Sequence, residues 1–239
     1  MSEVKYLERI EETIEWDILN WSRALAHWLV VVEQLDKTNT KILCLGERNG
    51  GLSLWFALQG FRVVCSDFGG PREDAKKLHS KYGVSDKIQY ADLSIFLLPY
   101  ASDSFDIIAC KSVVGGLKLN YKDRTTRTLQ NQKLAMDEVR RVLKPGGYFL
   151  GAENMKGSWI HSVGRNALKG KKIGWRHFQV FELKYLLQDF THSDLLFFGF
   201  LGTYYPFRWL NRVFGRVDNI LSKYLPDTMQ YIGFIRAKK

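Results

Sequence analysis

The chain opens on an apolar stripe. Ile14, Ile18, Trp21, Leu25, Trp28 and Val32 recur at alternating four- and three-residue steps, the spacing of one face of an amphipathic helix over roughly residues 6–35. Short apolar runs then take over: KILCL, RVVCS, KIQY, FDIIAC and GYFLGA. The stretches between them, GLSLWFALQG, PREDAKKLHSKYG and TRTLQNQKLAMDEVRRVLKPGG, read as helices. Pro71 stands at a favourable first turn and KPGG acts as a stop. Apolar runs of this length alternating with helices predict a parallel sheet covered on both faces.

After residue 153 the texture changes. A Gly- and Lys-rich connector, KGSWIHSVGRNALKGKKIGW, leads to a helix around QVFELKYLLQDF, the run DLLFFGFLG, an amphipathic helix from about Phe207 to Tyr224, and a last run MQYIGFIRA. The expected fold is α/β, a doubly wound, mostly parallel seven-stranded sheet. Its late strands form an antiparallel pair at the far edge, with a helical insertion before the last one. We read 1–239 as one domain: 1–37 an N-terminal helix or lid, 38–154 a binding core, and 155–239 a substrate-side part.

The loop after the first run, Gly46-Glu47-Arg48-Asn49-Gly50-Gly51, follows a strand and opens a helix, where backbone N–H groups attract polar or anionic ligand atoms. A dinucleotide site needs a glycine where Arg48 stands, so that the pyrophosphate can approach the backbone. A nucleoside without phosphates has no such requirement. Asp67, at the end of RVVCSD, lies 21 residues beyond Gly46, the offset at which a carboxylate reaches ribose hydroxyls. Asp92 ends the third strand, and Lys111 follows the fourth.

Charge sharpens the picture only in the last third. Residues 1–154 hold 21 Lys and Arg against 20 Asp and Glu, whereas residues 155–239 hold 14 against 5. That asymmetry points to an acidic partner. Cys44, Cys65 and Cys110 are odd in number and widely spaced, and read as reduced core residues, with no metal-ligand spacing. The N-terminus is charged and acidic, unlike a secretory signal. The longest uncharged apolar stretch, Leu195–Phe207, is shorter than the ~20 residues that span a bilayer. A cytoplasmic protein is expected, either free or peripheral to the inner membrane face.

The ordered set ILCLGERNGG, VVCSDF, YADLSIFLLPYASDSFDIIACKSV and EVRRVLKPGGYFLGAEN, across about residues 40–154, resembles the class I S-adenosylmethionine-dependent methyltransferases, type-11 subgroup. The resemblance implies a Rossmann-like methyltransferase fold and S-adenosyl-L-methionine as cofactor. It implies that Gly46, Glu47 and Gly50 cup the methionine moiety, that Asp67 with Phe68 beside it binds the ribose, and that Asp92 with Leu93 holds the adenine. Lys111 would offer its backbone carbonyl to the cofactor's amino group. The family usually has an acidic residue where Cys44 stands and a second glycine where Arg48 stands. Glu47 would replace the missing charge.

Methyl transfer from a sulfonium is a direct displacement, in which alignment and water exclusion supply much of the acceleration. An un-ionised acceptor also needs a base. The candidates are Glu153, His161 and His177. In the C-terminal helix, Phe207, Leu210, Phe214, Val217, Leu221 and Tyr224 share one side, and Arg208, Arg212, Arg216, Asn219 and Lys223 the other. Either the helix packs on the sheet with a solvated basic face, or it meets an anionic bilayer or a phosphorylated substrate. The expected reaction is methylation of an oxygen or nitrogen on a small-molecule, lipid-linked or nucleotide-linked acceptor, with glycans included. Rival readings are a relative that binds the cofactor without catalysis and a nicotinamide oxidoreductase. No Asn-Pro-Pro-aromatic tetrad follows the fourth strand, where CKSVVGG stands; within the family it resembles, that argues against the base amines of nucleic acid as acceptors.

Overall fold

The computed structural model describes residues 10–117, 126–158, 176–202 and 207–239. Seven strands form one sheet: β1 (Lys41–Leu45), β2 (Arg62–Asp67), β3 (Ile88–Asp92), β4 (Phe105–Lys111), β5 (Leu143–Asn154), β6 (His192–Phe198) and β7 (Ile232–Lys238). Their order is β3-β2-β1-β4-β5-β7-β6. The first five pair in parallel, and β7 runs antiparallel to both β5 and β6. The expected antiparallel pair is therefore present. Phe198, Ile232 and Asn154 stand level, so β6 ends at the same edge as β5.

The helices are α1 (Ile18–Trp21), α2 (Arg23–Val32), α3 (Gly51–Leu58), α4 (Glu73–Lys81), α5 (Thr126–Val142), α6 (Val180–Leu186) and α7 (Arg208–Leu221). Successive side chains of a strand face opposite ways, so the unbroken apolar runs feed two cores. Leu43, Ile108 and Phe149 pack with Val139 and Leu183 on one face. Ile42, Cys44 and Ile107 pack with Trp28 and Phe56 on the other. All three cysteines are free and buried, and burial pushes their thiols up, which keeps them protonated and inert. Among the described residues no helix is long and apolar enough to cross a membrane.

The N-terminal helix departs from expectation. Ile14, Trp21, Leu25, Trp28 and Val32 are buried as the stripe predicts, yet the helix is not continuous. Residues 10–14 are helical, then Glu15 (φ 71°) and Asp17 (φ 45°) enter the left-handed region before α1 and α2. Such backbone in a non-glycine residue persists only where its surroundings enforce it. Here they do. The Tyr231 hydroxyl donates to Asp17, and the Asn20 amide donates to Tyr231 Oη (2.7 Å) and Asp218 Oδ2 (2.8 Å). Asp218 also accepts the amides of Phe200, Leu201 and Gly202. Asp17, Asn20, Asp218 and Tyr231 are all buried, and this network ties the N-terminal segment to β7 and α7.

Candidate functional site

The strand ends of β1 to β5 converge on one edge, and the loop after β1 is its hinge. Gly46 (φ 67°) turns the chain out of β1, and Gly50 (φ 74°) turns it into α3. Between them the Glu47 amide donates to Ser66 O (2.8 Å), and the Glu47 carboxylate accepts Leu52 N–H (3.1 Å) and Ser53 N–H (2.7 Å). A buried carboxylate thus caps α3, satisfying two of its free amides. Burial raises the Glu47 pKa, while the two amides and the charge of Lys111 pull the other way.

Sequence reasoning missed the residue that holds this loop from behind. His79 is fully buried, with Nε2 2.8 Å from Gly50 O and Nδ1 2.8 Å from Tyr90 Oη. A carbonyl can only accept, so Nε2 carries the proton and Nδ1 accepts from the tyrosine. Burial lowers the imidazole pKa, in keeping with that neutral form. The His79 ring stands 2.6 Å from where a Cβ on Gly50 would be, which explains the glycine by packing. One histidine in an otherwise polar helix offered no signal of this.

Two aspartates face each other at the next strands. Asp67 and Asp92 are register partners at the ends of β2 and β3. Asp67 is half-buried, and burial pushes its pKa up, opposed by the Phe68 amide and the Arg48 and Arg72 charges. Among the described residues its carboxylate has no side-chain hydrogen-bond partner. Asp92 Oδ1 accepts Gly69 N–H (2.8 Å), which shapes the loop, and Leu93 N–H donates to Asp67 O (3.1 Å). Phe68 is 81% exposed, and no atom lies within 4 Å of a Cβ built on Gly69. This side is open.

The β1–β4 side is roofed. Lys111, at the end of β4, turns its side chain upward, where Nζ donates to Ile14 O (2.5 Å), lies 3.5 Å from Glu15 and sits 3.8 Å over the Trp16 ring. Burial brings its pKa down to about 8. Asn49 donates to Glu15. A Cβ on Gly51 would strike the Thr13 carbonyl, and one on Gly46 the Val113 side chain. Residues 13–17 therefore form a strap directly over the glycine loop. Within the 1–37 segment expected as a helix or lid, the covering contacts come from the bend at 13–17, Trp16 included.

The turn after β4 is held from β5. Glu153 Oε1 accepts Val113 N–H (2.8 Å) and Val114 N–H (2.7 Å), and Oε2 accepts Gly115 N–H (3.2 Å). The side chain is fully buried, and burial raises its pKa to about 7 against the pull of those amides. Arg176 N–H donates to Gly115 O (2.8 Å), and Phe178 N–H donates to Asn154 O (2.9 Å). Half-buried His177 is thereby carried to the ends of β4 and β5. His161 lies outside the described residues.

The arrangement suits a nucleoside with a charged tail. Its chemistry is a carboxylate with spare acceptor capacity at β2, a second beside it, and an open floor at Phe68 and Gly69. The fold, with its carboxylates gathered at the strand ends, defines a Rossmann-like protein. Residues 43–151, a little under half of the chain, match the methyltransferase domain family, and over that stretch the chain is similar to the class I S-adenosylmethionine-dependent methyltransferases. It is 29% identical over 119 residues to the sarcosine/dimethylglycine N-methyltransferase of Aphanothece halophytica, covering 49% of this chain and 39% of that protein. The chain thus spans well under half the length of that curated relative. Among solved structures, phosphoethanolamine N-methyltransferase 2 of Haemonchus contortus, bound to phosphomonomethylethanolamine and S-adenosylhomocysteine, superposes with a TM-score of 0.59. The two are 15% identical over 92% of this chain and 53% of that one. The (4+2)-cyclase SpnF superposes with a TM-score of 0.58 at 16% identity, over 92% and 82% of the two chains. At such identities the likeness shows the fold alone.

Proposed function

We propose that this protein transfers the methyl group of S-adenosylmethionine to a nitrogen or oxygen of an acidic or phosphorylated acceptor, small or linked to a lipid, nucleotide or glycan. The observation that carries the reading is Asp67: half-buried at the end of β2, level with Asp92, with acceptor capacity that no described side chain uses. In this reading Asp67 takes the ribose diol beside Phe68, Asp92 and Leu93 border the adenine, and Gly46, Glu47, Gly50 and the Lys111 carbonyl surround the methionine tail. The cofactor supplies the electrophilic methyl group. The chain supplies alignment and a dry cleft beneath the strap at 13–17.

Glu153 is assigned a positioning role. Both of its oxygens are engaged by three backbone amides, so it shapes the turn beside the acceptor and leaves the proton transfer to another group. His177 is the described candidate for that base. The names of the relatives favour nitrogen acceptors on small charged molecules, and the basic C-terminal third suits an acidic one. A lipid-linked acceptor would place the protein at the inner face of a membrane.

Calorimetry with S-adenosylhomocysteine tests the reading. Wild type should bind it, and Asp67→Ala should bind about 30-fold more weakly, since a charge-assisted hydrogen bond contributes roughly 1.5–3 kcal/mol. Equal affinity in the two proteins would remove Asp67 from the site. Binding with no transfer from a labelled methyl donor to any cell-extract acceptor would favour a non-catalytic relative.

A further inference from the structure

α7 is fastened to the body by its wrong side. A globular helix buries its apolar stripe. Here the buried positions are Gly215, against which Leu19 packs, and Asp218, which takes up the Asn20 amide and the amides of residues 200–202. Leu210, Phe214, Val217 and Leu221 are only half-buried. Trp209 (64%), Ile220 (60%) and Tyr224 (81%) are exposed, as is Val213.

The outward residues sort into two stripes. At about 100° per residue, Trp209, Val213 and Ile220 fall within about 40° of arc, and exposed Arg212 and Arg216 within about 40° beside them, with exposed Lys223 and Tyr224 in the turn that follows the helix. The sole acidic residue from 207 to 224 is Asp218, which is turned inward, so the outward charge is all positive. Trp209 and Tyr224 bracket the apolar stripe at opposite ends, the residue types that settle at a bilayer interface.

We propose that this face of α7 docks on an anionic phospholipid bilayer. The apolar stripe enters the boundary between headgroups and acyl chains, and Arg212, Arg216 and Lys223 engage headgroup phosphates. α7 follows β6, whose end stands level with the end of β5, so docking brings the strand-end edge toward the lipid. The surface stands on α7 alone, and serves the lipid-linked form of the acceptor reading.

The full chain is sedimented with vesicles of phosphatidylcholine alone or mixed with phosphatidylglycerol. Binding is expected on the mixed vesicles, at least tenfold weaker on the neutral ones, and weakened by salt. Arg212→Glu with Arg216→Glu, and separately Trp209→Ser with Ile220→Ser, should each reduce binding to the mixed vesicles about tenfold or more. All four side chains project from the body, so melting temperature and S-adenosylhomocysteine affinity should stay at wild-type values. Those readouts separate failure of docking from failure of the cofactor reading. Absence of binding, equal binding to both vesicles, or indifference to both double variants overturns the proposal. So does a concentration-dependent dimer that the Trp209→Ser, Ile220→Ser variant abolishes, since a second copy would then own the face.

Discussion

The two halves of the strand-end edge use their carboxylates differently. At β1 and β5, Glu47 and Glu153 are buried and spend their oxygens on backbone amides, five in all. At β2 and β3, Asp67 and Asp92 are half-buried or exposed, and among the described residues they engage no side-chain donor, Asp92 accepting the Gly69 amide of the adjoining loop. The longer acids reach inward and fix the shape of the loops. The shorter ones remain at the rim, available to a ligand. Acidity near a cleft is therefore a poor guide to role; the count of partners on each oxygen is a better one.

The largest effect should come from the shaping half. Glu153→Ala leaves three amides, two of them buried, without an acceptor and should cost about 3 kcal/mol, read by denaturant unfolding. Its titration should be visible too. The Glu153 pKa is raised to about 7 in the folded protein, so the folded state binds the proton more tightly than the unfolded chain. Its contribution is fully present below the ordinary carboxylate range and is lost as pH rises through about 7. The stability slope of wild type across that window should flatten in Glu153→Gln. A slope unchanged by that substitution would assign the titration elsewhere.

On the ligand-facing half, loss of Asp67 should weaken S-adenosylhomocysteine binding with little change in melting temperature, the reverse of Glu153. A smaller effect is expected at the roof. Gly51→Ala forces the Thr13 carbonyl away, so hydrogen exchange across residues 13–17 should accelerate while overall stability falls by about 1–2 kcal/mol. Protection equal to wild type would mean that the strap does not rest on Gly51. The smallest effect belongs to Asp92→Asn. The amide oxygen still accepts Gly69 N–H, so cofactor affinity should fall only about threefold, under about 1 kcal/mol. A loss as large as that of Asp67→Ala would erase the distinction between the two rim acids.

Much of the frame was legible in the chain. Unbroken apolar runs such as FDIIAC announce a strand buried on both faces, and the spacing from Gly46 to Asp67 anticipates two strand ends at one edge. What failed was information carried by distant contacts. Nothing local marks Glu15 and Asp17 for left-handed backbone; the network reaching Tyr231 does that. The sequence ended Glu153 at the right strand, but not its embrace of a turn 40 residues earlier. For α7, periodicity identified which residues share a side, and could not tell which side the body would claim. Gly215 and Asp218 claimed it.

The bond from Asn20 to Tyr231 spans 211 positions, and this has a temporal consequence. The ties of the strap to Asn49 and Lys111 can form as soon as those residues have emerged, whereas its tie through Asp17 must wait for Tyr231. A contact closed over so long a loop forms late, so the bend at 13–17 is seated in two stages, first on the glycine loop and then on the far strands.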